Sequence, residues 1–172
     1  MNLLSLKYIP QINEYACGAA ALAMIYNYYG LENFSQEDLM SRYLESEFHG
    51  SGNLMITTDN MVLDAKNRGF NASWIRVNYK NYAESINQLR SLIFSGTPVI
   101  VCQKFTDNMP LIGHFRVVVG FNDEAIFLHD PYPEIGGENM KWPIKKIMDF
   151  WQPTGGNVTG GVLIIINKSD AK

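Results

Sequence analysis

Cys17 is the residue in this chain best placed to act as a nucleophile, because Gly18 and an Ala-rich apolar run reaching Tyr29 follow it directly. That composition, free of helix breakers after Gly18 and stopped by Gly30, predicts a buried helix with Cys17 in its first turn. A thiol there faces unpaired backbone N–H groups and the positive end of the helix dipole, and both favour thiolate over thiol. Gly18, Ala19, Ala20, Ala21 and Ala23 keep the helix slim, so that a sheet can come close and present a base. Gln11 lies six positions upstream, within reach for its side-chain amide to point at the same spot as the Cys17 backbone N–H. Two donors so aimed would form an oxyanion hole.

The search for a general base is short, since the chain has three histidines. His114 follows Gly113 at the mouth of the apolar run Phe115-Arg116-Val117-Val118-Val119-Gly120, a predicted strand whose rigidity would hold the imidazole. Asp130 ends the next such run, Ala125 to His129, and precedes Pro131. A tight hairpin between the two runs brings the start of one near the end of the other, so Asp130 can orient His114. Each residue also has a plain structural reading. A free cysteine packs as a small hydrophobe, a histidine can sit idle at a strand edge, and aspartate before proline is ordinary turn chemistry. The chemical reading rests on all of them occurring together, each on the element its role needs.

The elements around these residues follow from period and punctuation. Ser35-Gln36-Glu37-Asp38 has capping-box character and opens a short helix toward Leu44, and residues 46 to 57, which include His49, read as a loop. Thr58 and Asp59 supply cap chemistry for a helix over Met61 to Arg68, and Gly69 stops it. A strand is predicted for Phe70 to Val77 and a helix for Tyr82 to Phe94, closed by Gly96. Beyond this point β-branched and aromatic runs dominate: Pro98 to Lys104, Phe115 to Phe121, Ala125 to His129 and Gly161 to Asn167 read as strands. Residues 121 to 125 make a hairpin turn, and Ile144 to Trp151 a late helix. The Gly pairs at 136-137, 155-156 and 160-161 read as loops. Helices first and antiparallel strands afterwards predict an α+β fold, with residues 1–172 as one domain.

Taken together, Pro10-Gln11, Cys17-Gly18, Ala20, Leu22-Ala23-Met24, Tyr28-Tyr29-Gly30, Gly113-His114-Phe115 and His129-Asp130-Pro131 resemble the papain-like cysteine peptidases. The nearest resemblance is to the family that processes the double-glycine leader peptides of bacteriocins, and it runs from about Tyr8 to Ile166. It implies the family's fold, an N-terminal helical half and a C-terminal antiparallel sheet. It also implies roles: Cys17 as nucleophile, His114 as base, Asp130 as orienter and Gln11 in the oxyanion hole. The implied activity is thiol-dependent hydrolysis of a peptide or amide bond, with a leader peptide as one possible substrate. Stand-alone relatives of the fold include acyltransferases, which pass the acyl group to an amine, and a third reading keeps the fold only to bind a leader-like peptide. Ala16 stands where many relatives carry an acidic residue.

Composition narrows the remaining classes. A formal charge of -3 and a sequence pI near 5.6, with Lys and Arg scattered, offer no attraction to phosphate backbones, so no nucleic-acid partner is expected. No apolar run approaches the roughly 20 residues that span a bilayer, and a cytoplasmic setting is expected. Cys17 and Cys102 are read as thiols, Cys102 as a core residue within Val99-Ile100-Val101-Cys102. His49 has no second ligand at metal spacing, and no metal or cofactor is expected. His129 is expected to face away from Asp130, and Trp74, Trp142 and Trp151 read as core or cleft wall.

Overall fold

Continuous apolar strands can be buried on both faces, and here they are. The computed structural model describes residues 2–32, 34–43, 56–78, 81–151 and 161–169. In chain order these form β1 (Asn2–Leu3), α1 (Cys17–Tyr28), α2 (Gln36–Tyr43), α3 (Thr58–Asn67), β2 (Phe70–Arg76), α4 (Tyr82–Phe94), β3 (Val99–Thr106), β4 (Met109–Phe121), β5 (Ala125–Asp130), β6 (Gly137–Pro143), α5 (Ile144–Phe150) and β7 (Val162–Lys168). The described strands make one antiparallel sheet in the order β2-β7-β3-β4-β5-β6, with β1 paired to the end of β4. Strand β4 outruns β3, whose pairing begins at Val99 opposite Val118, so Leu3 can pair with Gly120 beyond it.

The pleat sorts side chains into two cores. Ile100, Cys102, Phe115, Val117, Ile164 and Ile166 pack with α1, α2 and α3 on one face. Val99, Val101, Val118, Leu128 and Leu163 pack with Leu89 and Ile93 of α4 and with Ile147 and Phe150 of α5 on the other. Helix α1 is buried from Cys17 to Tyr26 because it is apolar all round, as a helix pressed between a sheet and further helices must be. Gly18 marks its closest approach: an added Cβ would stand 3.3 Å from both Met61 and Phe115.

The α+β reading holds, and the helix expected over Tyr82 to Phe94 has those bounds. The helices do not form one layer, however, because α4 crosses to the far face of the sheet. Three details correct the sequence reading. The two strands expected over Pro98 to Lys104 and Phe115 to Phe121 are longer than that: β3 runs to Thr106 and β4 starts at Met109, so His114 sits inside a long strand and not at its mouth. Gly137 opens strand β6, whose sequence Gly-Glu-Asn-Met-Lys-Trp-Pro looks like a loop because an edge strand tolerates Lys and Pro. The cap of α3 is Thr57, whose hydroxyl accepts the Asn60 N–H at 3.2 Å, and not Thr58 or Asp59. His49, with residues 46–55 of the expected loop, and Leu44 at the end of the expected short helix lie outside the described residues.

The two threonines should therefore respond in opposite ways to substitution. Thr57→Ala removes a cap and should lower stability by about 1 kcal/mol. Thr58 is buried with a hydroxyl that finds no partner among the described residues, so Thr58→Val should leave stability unchanged or raised. Urea denaturation of both variants checks this, and equal losses would return the cap to Thr58.

Candidate active site

The helix that carries Cys17 begins without a side-chain cap. Ala16 occupies the N-cap position, makes no capping hydrogen bond, and is followed by no acidic residue in the first turn. The leading N–H groups of α1 are thus not claimed by a cap. The chain reaches this point through a turn built on Asn13, whose Oδ1 accepts the Tyr15 N–H at 2.9 Å and whose carbonyl accepts from Ala16. The Cys17 thiol, 3% exposed, faces the His114 ring and the Phe115 backbone N–H, both of which favour its ionised form.

On its other side the His114 ring meets Asp130, with Nε2 2.6 Å from Oδ1. That contact leaves Nδ1 as the nitrogen available to the thiol. The edge of Phe105 packs on the imidazole at 5.0 Å between centroids and fixes its plane. Asp130 is fully buried, and its oxygens are filled: Oδ1 also accepts the Tyr132 N–H at 2.9 Å, and Oδ2 accepts Arg116 Nε at 2.6 Å. Sequence reasoning placed His114 and Asp130 together by hairpin geometry. The register bears this out, with Val117 opposite His129, so that Asp130 reaches back toward the β4 residues preceding Val117.

Charge explains the titration of the group. Burial pushes the Cys17 thiol up, but the His114 cation, its hydrogen bond and the Phe115 N–H bring it below the ordinary thiol range. Burial and the Arg116 cation pull His114 down, and Asp130 with the Cys17 thiolate outweigh them, so the imidazole is held above its usual value. Burial raises Asp130, whereas His114, Arg116 and the Tyr132 N–H hold it below the usual carboxylate range. A thiolate beside an imidazolium is the form this arrangement favours.

Gln11 is tied to the same corner by its backbone, whose N–H donates to the Pro131 carbonyl at 2.9 Å. Two further bonds zip the N-terminal segment to the end of β5, His129 Nε2 to the Leu6 carbonyl at 3.0 Å and Tyr8 hydroxyl to the Asp130 carbonyl at 3.0 Å. Buried Gln36 clamps the segment from outside, donating to the Pro10 carbonyl at 2.9 Å and accepting the Ile12 N–H at 3.2 Å. The Gln11 side chain turns back on its own turn: Nε2 donates to the Asn13 carbonyl at 2.7 Å, and Oε1 is buried without a partner among the described residues. Among the described residues the second hydrogen of that amide has no acceptor.

The chain's likeness to known proteins agrees with this geometry. Residues 3–159 match the model of the Peptidase_C39 like family. The chain belongs to that family. No curated protein is matched at the sequence level. Among solved structures, the peptidase domain of Streptococcus ComA, a bi-functional ABC transporter involved in quorum sensing, is 21% identical with a TM-score of 0.69, covering 95% of this chain and 100% of that one. A double glycine motif protease from an AMS/PCAT transporter, solved with its leader peptide, is 20% identical with a TM-score of 0.67, covering 98% and 95%. A C39-like protein from Bacillus anthracis is 18% identical with a TM-score of 0.70, covering 99% and 100%. These likenesses show the papain-like fold, and family membership supports a function of the cysteine-peptidase type. No described helix is long and apolar enough to cross a membrane.

Within this C39-like site, two residues escaped sequence reasoning. Arg116 touches Asp130 directly, and the signal for it was a charge inside an otherwise apolar run, which has to be paired if the run is buried. Gly136, set aside as a loop residue, packs against Asp130. A Cβ there would collide with Asp130 Cβ and stand 2.6 Å from Met140 Sδ and 2.8 Å from Asp130 Cγ. Cys102 is a core thiol, raised by burial and by the neighbouring Cys17 charge. His129 lies away from Asp130's contacts, accepting the Asn139 N–H on Nδ1 at 3.0 Å. Trp142 and Trp151 are buried in the second core, and Trp74 donates to Asp59.

Two outcomes follow from the environments of these residues. Iodoacetamide near neutral pH should label Cys17 well before Cys102, as read by peptide-resolved mass spectrometry; faster labelling of Cys102 would remove the basis for a reactive Cys17. Gly136→Ala should slow Cys17 labelling by displacing Asp130, and should cost roughly 1–3 kcal/mol from overpacking. A Gly136→Ala protein with unchanged melting and labelling would show that Asp130 gives way freely.

Proposed function

We propose that this chain hydrolyses a peptide or amide bond through an acyl-thioenzyme formed on Cys17. The observation that carries the reading is the buried His114 ring held between the Cys17 thiol and the Asp130 carboxylate, at the start of a helix whose first N–H groups have no cap. In this mechanism the thiolate attacks the substrate carbonyl carbon and a C–S bond forms. The negative charge on the carbonyl oxygen is met by the Cys17 backbone N–H and the free amide hydrogen of Gln11. As the tetrahedral adduct collapses, the C–N bond breaks and the leaving amine takes a proton from the His114 imidazolium. His114 then deprotonates water, which attacks the thioester, and C–S cleavage releases the acid and restores the thiolate. Asp130 keeps Nε2 protonated and steadies the imidazolium.

A leader-like peptide is the proposed substrate class, supported by the similar double-glycine protease whose structure holds a leader peptide. Free thiols suit a reducing, cytoplasmic compartment.

The test is acylation by an activated thioester of a short acyl-peptide. The wild type should form an acyl adduct on Cys17 and release it to water, Cys17→Ala should form none, and Asp130→Ala should turn over more slowly. Gln11→Ala should lose turnover by on the order of 100- to 1,000-fold, about 3–4 kcal/mol, while keeping its rate of iodoacetamide alkylation, which forms no oxyanion. Full turnover in Gln11→Ala would assign the oxyanion to another donor. Faster release to added amines than to water would make the chain an acyltransferase, and absence of any acyl adduct would leave it a peptide-binding domain.

A further inference from the structure

Arg116 carries its charge inside the sheet. It lies on β4, 1% exposed, within a run that is otherwise apolar from Phe115 to Val119. A buried guanidinium is stable only if its donors are paired, and here each nitrogen has a partner. Nε donates to Asp130 Oδ2 at 2.6 Å, one terminal nitrogen donates to the Lys104 carbonyl at 3.0 Å, and the other to the Phe105 carbonyl at 2.8 Å. Those carbonyls stand where the ladder between β3 and β4 shifts register, between Lys104 and Thr106. The plane of the group is held by aromatic rings, Trp142 at 4.9 Å and Phe150 at 5.7 Å. The guanidinium thus spans β3, β4 and β5, with Asp130 as its one anionic partner among the described salt bridges.

We propose that Arg116 is a positioning residue that holds the Asp130 carboxylate ionised and turned toward His114, completing a buried cluster in which two cations balance two anions. This rests on the acyl-thioenzyme reading of Cys17. With Cys17 as thiolate, His114 as imidazolium, Asp130 ionised and Arg116 cationic, the cluster is neutral, and each charge has an opposite one beside it. Arg116 by itself opposes the His114 cation, but without it the same state carries a net negative charge in a buried site and Asp130 stands unbalanced against the thiolate. Geometry adds to this. A carboxylate held on Oδ2 by Arg116 and on Oδ1 by the Tyr132 N–H has one orientation, and that orientation puts Oδ1 on His114 Nε2. Lysine would keep the charge but lacks the planar fork that grips Asp130 and two carbonyls at once.

The charged and titratable groups facing Arg116 are Asp130 from β5, His114 on its own strand, Cys17 from α1 and Cys102 from β3. Lys104 from β3 and Lys146 from α5 share its aromatic rings. The lysines stack on those rings and make no bond to Asp130, so neither replaces Arg116.

The experiment is the rate of Cys17 alkylation by iodoacetamide against pH, read by peptide-resolved mass spectrometry for wild type, Arg116→Met and Arg116→Lys. Wild type should show a thiolate limb below the ordinary thiol range. Arg116→Met should shift that limb to higher pH by about one unit or more, because the departing cation no longer offsets Asp130. Arg116→Lys should keep the limb close to wild type while its plateau rate falls several-fold. A role confined to tying strands together would lower the melting temperature and leave the limb in place. A folded Arg116→Met protein whose profile overlays wild type therefore overturns the proposal. If Arg116→Met does not fold, Arg116→Lys decides: an unchanged limb with an unchanged plateau overturns it. A wild-type Cys17 that titrates as an ordinary thiol overturns the acyl-thioenzyme reading itself, which separates that failure from the failure of Arg116.

Discussion

The constraint on which this fold turns is the complete burial of one carboxylate. Asp130 has no exposed surface, and an ion taken out of water is tolerated only when its oxygens are filled by donors held in place. Filling them ties together parts of the chain that otherwise have no reason to meet. Hairpin register brings His114 and Arg116 to one oxygen each, and the turn after β5 brings the Tyr132 N–H. A glycine at 136 leaves room for the carboxyl group against Met140. Even the carbonyl of Asp130 is used, accepting the Tyr8 hydroxyl and so anchoring the N-terminal segment.

That anchor has a consequence some distance away. Because the segment from Leu6 to Gln11 is zipped to residues 129 to 131, and Gln36 grips it at Pro10 and Ile12, the turn leading into α1 is held over the end of the sheet. Cys17 is thereby delivered to His114 by the backbone on one side and by the close packing of α1 on Phe115 on the other. Leaving the helix uncapped forgoes about 1 kcal/mol of the stability that a Ser or Asp at position 16 would contribute. It also keeps a competing side chain off the N–H groups that a thiolate or an oxyanion needs. Local stability and chemistry pull apart here, as they commonly do at reactive sites.

Much of this was readable from residue types, and what was not has a physical cause. Helix α1 and the strands β3, β4, β5 and β7 announce themselves because deep burial demands unbroken apolar runs, and punctuation by Gly30, Gly69 and Gly96 marks helix ends where the backbone has positive φ. Strand β6 stayed hidden because an edge strand is half solvated and carries Asn, Lys and Pro without penalty. The meeting of His114 with Asp130 was legible because antiparallel pairing is a local rule. Gly136 was not, since its importance comes from a contact with a residue on the previous strand, and no period or propensity encodes that. For Gln11 the sequence supplied the position but not the direction of the amide, which depends on the Asn13 turn.

The two cysteines show how little burial alone decides. Cys17 and Cys102 are both nearly inaccessible, and for each of them burial is the largest effect and favours the neutral thiol. Their outcomes differ in sign because of what faces the sulfur. Cys17 has an imidazolium, a hydrogen bond from it and a backbone N–H, and ends below the ordinary thiol range. Cys102, one strand over and opposite Phe115, is faced by the Cys17 charge itself, so that ionising one thiol suppresses ionisation of the other. The apolar sheet face that keeps Cys102 inert also excludes water from the pair beside it, which strengthens the attraction between thiolate and imidazolium. A reactive thiol in this fold therefore depends on an asymmetric placement of charge within a dry interior, and that asymmetry originates at His114, which faces Cys17.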